Sequence, residues 1–248
     1  MRGLAAIALA AWTLYAVPAG AEHCTEGADI LPADAIYLEA GWTFSRSGES
    51  REHALGQVFT RIGVGGGIEL RASFNSYQWS RSEAGRAEGL TDAGAGVKVR
   101  LLGACPDSPP LRPSVALVVS AAAPTGASSF RASHVQPETR LCLGWTLTPT
   151  LVATSNLSAA RVCAGGFMET EATGSMSVTK SWSPGLASYI EYATHAVLGG
   201  GGLLKPETIA GVLLAVPGGA QLEIRAGTNP ASRPTAWFGG LILQRHWN

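Results

Sequence analysis

Apolar and polar residues alternate with a period of two along much of the chain. Ile36, Leu38, Ala40, Trp42 and Phe44 share one face of an extended segment, with Tyr37, Glu39, Thr43 and Ser45 on the other. Ile68, Leu70, Ala72 and Phe74 alternate with Glu69, Arg71, Ser73 and Asn75, and Ala93, Ala95, Val97, Val99 and Leu101 alternate with Asp92, Gly94, Gly96, Lys98 and Arg100. Thr139, Leu141, Leu143 and Trp145 alternate with Glu138, Arg140, Cys142 and Gly144, while Leu222, Ile224 and Ala226 alternate with Gln221, Glu223 and Arg225. A period of two puts such sets on opposite faces of a sheet. Weaker segments at 53–64, 112–122, 149–158, 171–182, 185–195, 206–216 and 235–247 bring the predicted total to about twelve strands. Bacterial outer-membrane barrels usually have an even number.

The links between these segments differ in length. Residues 47–52, 80–89, 123–135, 159–170 and a stretch containing 199–202 read as longer loops. Gly65-Gly66-Gly67, 147–149, Ser183-Pro184-Gly185 and Pro217-Gly218-Gly219 read as tight turns, with 103–111 the exception on their side. Long and short links therefore alternate, the pattern of outer-membrane barrels with short periplasmic turns and longer external loops.

Alternation alone does not say which face is wet. A soluble lipocalin-type barrel would turn the apolar set inward. Three features favour the inverted arrangement, with lipid outside. The polar faces carry acid beside base, as in Glu69/Arg71, Glu138/Arg140 and Glu223/Arg225, suiting a lumen where charges pair. Fifteen of the 18 basic residues are Arg and only Lys98, Lys180 and Lys205 are Lys, an odd choice for a water-bathed exterior. The chain also ends on a strand-like segment with Trp247 at its penultimate position.

Composition agrees. Of the 248 residues, 46% are apolar and 15% charged, against about 25% charged in an average soluble domain. Zero net charge and 31 Gly argue against a nucleic-acid binder, which should show a basic stripe, and against a helical bundle. At the N-terminus, Arg2 precedes a run of 14 almost wholly apolar residues at 4–17, then Pro18 and a small-residue Ala19-Gly20-Ala21 step. This is the form of a secretory signal peptide, predicted to occupy residues 1–21 and to be cleaved near Ala21. Residues 22–35 then form a periplasmic N-terminal segment, and 36–248 an all-β domain, a closed antiparallel transmembrane β-barrel in the bacterial outer membrane.

Several short motifs resemble those of a family of outer-membrane transporters labelled "MetA-pathway of phenol degradation". They are Phe59-Thr60-Arg61-Ile62-Gly63-Val64 followed by Ile68-Glu69-Leu70-Arg71, and Thr91-Asp92-Ala93-Gly94-Ala95-Gly96-Val97-Lys98. Pro124-Thr125-Gly126, the 186–192 stretch with Glu191, and 222–227 leading into Thr228-Asn229-Pro230 follow in order. The resemblance spans roughly residues 36–247 and departs at Glu223, where an Asp is common. It implies an outer-membrane barrel with a transport role.

Sequence motifs for catalysis are sparse. No Gly-x-Ser-x-Gly elbow, phosphate-binding loop or His-Glu-x-x-His motif occurs, and no metal or other cofactor is expected. A surface lipid-modifying hydrolase would use His134 or His195 beside Ser129 and Glu191 near the external loops. That is the weakest of the readings, and the chain is read as a non-enzyme. The inward charges are the stronger candidates: Arg61, Arg71, Lys98, Arg100, Arg140 and Arg225 facing Glu39, Glu69, Asp92, Glu138, Glu191 and Glu223. They either line a polar path that selects solutes by field and width, or form a closed network that plugs a narrow lumen and orders the strands. The expected function is a monomeric channel or transporter for a small solute, hydrophobic or aromatic molecules being the class considered, with outer-membrane lipid as the other partner. A structural barrel with a plugged lumen is the alternative.

Four Cys in an exported chain suggest disulfides. Cys24, before the first strand, and Cys105, in the 103–111 link, would both be periplasmic and are expected to pair. Cys142 and Cys163 would be the other pair, with Cys142 well down a strand and Cys163 near an outer loop.

Overall fold

In the computed structural model, the residues described are 25–83, 85–103, 112–164, 167–198, 205–232 and 234–247. The expected signal peptide, Cys24 and Cys105 lie outside them. The strand segments are β1 (Ile36–Ser47), β2 (Ser50–Gly65), β3 (Ile68–Ser73), β4 (Tyr77–Ser82), β5 (Gly85–Leu90), β6 (Ala93–Leu102) and β7 (Ser114–Ala123). They continue as β8 (Gln136–Thr148), β9 (Leu151–Ala164), β10 (Phe167–Ser183), β11 (Leu186–Leu198), β12 (Lys205–Val216), β13 (Ala220–Asn229) and β14 (Ala236–Trp247). Each pairs antiparallel with its neighbours, and β1 pairs with both β2 and β14, which closes the sheet. β3 and β4 are two halves of one wall strand beside β2, and β5 and β6 two halves of the next, so the closed antiparallel barrel has twelve strand positions. The breaks at 74–76 and 91–92 lie level with a bulge in β2, where Gly56 and Gln57 take φ of 98° and 42°.

The pleat settles which face meets lipid. Leu70 and Val97, opposite each other on β3 and β6, are 45% and 36% exposed, whereas the adjacent pair, Glu69 and Lys98, are 0% and 1% exposed. Leu38, Ile62, Val119, Leu157, Ile190, Ile224, Leu241 and Leu243 are likewise exposed, on every side of the barrel. A continuous apolar surface of this extent would be untenable in water, but it is the lipid-facing band of a membrane barrel. Tryptophans mark its two rims, the level where amphipathic rings concentrate: Trp42, Trp79 and Trp237 towards one end, Trp145, Trp182 and Trp247 towards the other. The second end carries both barrel termini and the short turns, the periplasmic pattern.

Three predicted external loops are strands instead. Residues 47–52 contain only a turn at 48–49, 80–89 form the β4–β5 hairpin, and most of 159–170 belongs to β9 and β10. β10 has 17 residues, well beyond the roughly 9–11 needed to cross the bilayer, so the wall projects past the outer rim. There both faces are wet, and the ladder continues without the apolar contrast that reveals a strand in sequence. The 123–135 loop is as expected and folds inward. Asp92 accepts hydrogen bonds from the Gly126 and Ala132 N–H groups at 2.8 and 2.9 Å, the Ala93 N–H donates to Thr125 Oγ1 at 2.9 Å, and Ala127 N–H donates to Leu90 O at 2.8 Å. A Cβ on Gly89, which shares the inward face with buried Gln78, would come within 2.5 Å of Ala127 Cβ.

Candidate functional site

The lumen is built by the polar half of each alternating set, and the chain's own N-terminal segment lies inside it, against β2, β3 and β6–β9. Residues 25–35, expected as a separate periplasmic segment, run along the inner wall. Glu26 is the hub of this contact. Its carboxylate meets Lys98 Nζ on one oxygen and, on the other, Arg71 Nη1 at 2.8 Å and Arg140 Nη1 at 3.8 Å. Its backbone is held as well: Glu26 N–H donates to Asn156 Oδ1 at 2.6 Å, and Asn156 Nδ2 donates back to Glu26 O at 2.8 Å. Lys98 Nζ also donates to Gly27 O at 2.7 Å. Further along, Leu31 N–H donates to Glu69 Oε2 at 3.1 Å and Arg61 Nη2 to Asp29 O at 3.3 Å.

Apolar packing completes the seat. Ala28 and Ile30 are buried against Ala116, Val118 and Cys142. Two glycines make room for the backbone. A Cβ on Gly63 would stand 1.8 Å from Pro32 O, and one on Gly144 would stand 3.6 Å from Ala28 Cβ. The Gly63 contact leaves no space for any side chain, and the segment is pinned there by Gly63 N–H donating to Ala35 O and Asp34 N–H to Gly63 O, both at 2.9 Å.

The candidate charges fall into unequal groups. Arg61, Arg71, Lys98 and Arg140 stand on β2, β3, β6 and β8, one side of the lumen. Arg61 grips Glu69 through two bonds of 2.7 and 2.8 Å, and Arg140 pairs with Glu138 at 2.8 Å. Glu191 and Glu223 stand on β11 and β13, buried across the lumen, while Glu39 is buried on β1, the strand beside Arg61. The Tyr37 hydroxyl donates to Glu39 at 2.5 Å, and the Tyr189 hydroxyl and Gln244 donate to Glu223 at 2.7 and 3.0 Å, with Arg225 3.8 Å away. Two candidates sit elsewhere. Asp92 ties down the inward loop instead of lining the wall, because it precedes β6 at the strand break. Arg100 is exposed near the periplasmic turn, its N–H bonded to Gly67 O at 2.8 Å. Glu26 and Asn156 were missed. Glu26 lies before the first strand, where no periodicity flags it, and Asn156 falls in a weakly patterned segment.

The hydrolase elements are not assembled among the described residues. His134 Nδ1 lies 2.8 Å from Ser133 Oγ on an exposed loop, and Ser133 Oγ is 2.8 Å from Cys163 Sγ. His195 lies inside the barrel with Thr173 Oγ1 and Glu171 Oε1 both 3.1 Å from Nδ1, and Glu207 Oε2 3.9 Å from Nε2. A nucleophile and an orienting carboxylate must use opposite nitrogens of the base, and 3.9 Å is beyond the hydrogen-bond reach an orienting carboxylate needs. Cys142 is buried behind Ala28 and does not pair with Cys163.

No protein-family model matches the chain, and no curated protein matches it by sequence. Solved structures do match. An outer membrane channel from Pseudomonas putida F1 superposes with a TM-score of 0.68 at 11% identity, covering 91% of this chain and 100% of that one. A KdgM porin in complex with disordered oligogalacturonate gives 0.59 at 7% identity, covering 86% and 99%. The NanC porin gives 0.58 at 9% identity, covering 83% and 98%. At such identities the likeness establishes the fold, that of an outer-membrane β-barrel.

Proposed function

We propose that the chain is an outer-membrane channel for small anionic solutes, closed at its periplasmic end by its own N-terminal segment. The observation that carries this reading is the seat of Glu26, a carboxylate held by Lys98, Arg71 and Arg140 inside the lumen. Such a set of donors is also a recognition site for a free carboxylate or phosphate. When residues 25–32 withdraw, the cations are left facing water on one side of the lumen, with Glu191 and Glu223 across from them. Opposed walls of unlike charge orient a polar solute and bias permeation by sign.

The fold's likeness to porins and an outer membrane channel supports a conduit, and the resemblance in the sequence motifs supports transport. The cations around the Glu26 carboxylate favour a charged solute over a purely hydrophobic one, because an apolar molecule there would strip water from charges without replacing its hydrogen bonds. An aromatic carboxylate satisfies both considerations. The packing of the segment also supports a second reading, a structural barrel whose lumen stays shut.

Liposome-swelling assays distinguish them. The channel reading expects faster swelling with a small carboxylate than with a neutral or cationic solute of equal size, and loss of that order in Lys98→Met. No swelling with any solute, in the native chain or in a variant lacking residues 25–32, supports the structural barrel. Swelling without regard to charge contradicts the anionic assignment.

A further inference from the structure

We infer that the outer face of the β1–β2–β4–β5 sheet holds the phosphorylated headgroup of an outer-leaflet glycolipid. The register places Arg46 opposite Arg51, Arg51 opposite Arg81 and Arg81 opposite Arg86. Four guanidinium-bearing residues thus form one cross-strand row, about 15 Å wide at the spacing of adjacent strands. The same face continues downward through His53, Trp79 and Glu88 to Leu55, Tyr77 and Leu90, which are exposed and apolar. The row therefore lies on the lipid-facing side of the wall, above the hydrocarbon level.

The layer beneath it marks the membrane interface. His53 stacks on Trp79 with ring centroids 4.8 Å apart and planes at 7°, and on its other side meets Phe44 at 4.9 Å and Trp42 at 5.9 Å. Phe44 in turn meets Trp237, which stands opposite Arg46 at the end of the row, at 5.0 Å. Amphipathic rings gather at the headgroup level, so a cation row one step beyond them is level with lipid phosphates.

Like charges placed directly opposite on neighbouring strands repel, and here three such pairs follow one another. The carboxylate sharing this face, Glu88, pairs with Arg86 at 2.7 Å, while Glu49 and Glu83 lie in the turns. Arg46 donates to Gly48 O at 3.1 Å. Arg51 and Arg81 make no side-chain hydrogen bond or ion pair among the described residues. They line an open cleft of about 590 Å³ together with His53, Trp79 and Arg86. An anion seated there removes the repulsion, and the fork of Arg suits phosphate better than a Lys ammonium would. A soluble anion would have no use for the apolar residues below, whereas a lipid fills both levels at once.

The test uses the full chain in nanodiscs or detergent, with bis-phosphorylated lipid A, its dephosphorylated counterpart and inorganic phosphate as probes. Native mass spectrometry reads retained lipid, and heat-modifiable gel mobility reads folding. The native barrel is expected to retain the bis-phosphorylated form at least tenfold better than the dephosphorylated one. Arg51→Gln/Arg81→Gln, still folded by mobility, is expected to lose roughly 20-fold in that retention, with Arg51→Lys/Arg81→Lys falling between. Equal retention of the two lipids by the native chain overturns the inference, as does a glutamine variant that keeps the preference. Displacement of the retained lipid by inorganic phosphate at equal concentration would make this a soluble-anion site and overturns the lipid assignment.

Discussion

Replacing Glu26 with Ala should open the barrel. The carboxylate is met by Lys98, by Arg71 at 2.8 Å and by Arg140 at 3.8 Å, and the Lys98 and Arg71 side chains are almost fully buried. Removing one partner of a buried ion pair costs about 3–5 kcal/mol, because the remaining charge stays desolvated. That cost falls on the docked state alone, since in the withdrawn state water in the lumen solvates the cations. The remaining ties are weaker. Each backbone bond at Glu26, Gly27, Asp29 and Leu31 contributes about 1 kcal/mol, and burying Ile30 contributes about 1.5–3 kcal/mol. Loss of the carboxylate therefore shifts docking by roughly 100-fold or more towards the withdrawn state. Single-channel recording in planar bilayers should show a rise in open fraction for Glu26→Ala, with Glu26→Gln moving in the same direction. An open fraction equal to that of the native chain, from variants that fold, would refute the reasoning.

Other positions give sharper local tests. Gly63→Ala puts a methyl into the Pro32 carbonyl and should expel the segment, seen as protease sensitivity of residues 25–35 in a barrel that still shows heat-modifiable mobility. Asp92→Ala removes two charge-assisted bonds to the Gly126 and Ala132 N–H groups, each worth about 1.5–3 kcal/mol. Hydrogen exchange across 124–132 should accelerate while the wall strands stay protected. Leu157→Arg places a charge on the lipid face in the middle of β9 and should lower unfolding stability in lipid vesicles by about 2–4 kcal/mol, the cost near the bilayer midplane.

Much of the wall was legible because lipid and lumen impose opposite demands on neighbouring residues. Leu70, Arg71 and Ala72 follow that rule, as do Val97, Lys98 and Val99, so their strands and facing could be read directly. Where the wall leaves the membrane, the rule lapses. Trp79, Arg81, Arg86 and Glu88 lie in a regular hairpin, but outside the hydrocarbon band nothing requires apolar and polar residues to alternate, and the charges and glycines of 80–89 read as a loop. The lumen was half legible for a related reason. Periodicity marks which strand residues turn inward but carries no sign of what fills the space between them. Glu26 therefore left no trace, although the cations it neutralises were all named. The Thr91-Asp92 step and Pro124-Thr125-Gly126 stood apart in sequence, and their meeting through Asp92 is a tertiary fact that no local pattern encodes.

The most direct test of the account is to lock the N-terminal segment in place. Ala28 Cβ and a Cβ built on Gly144 are 3.6 Å apart, within the roughly 3.5–4.5 Å that a disulfide spans. The double variant Ala28→Cys/Gly144→Cys, in a Cys142→Ala background, can be recorded in one bilayer before and after reductant, with the Cys142→Ala parent as control. A segment that closes the channel predicts low conductance when oxidised, a reversible rise on reduction, and no comparable rise in the parent. Equal conductance in the oxidised and reduced states, with the cross-link verified, would contradict it.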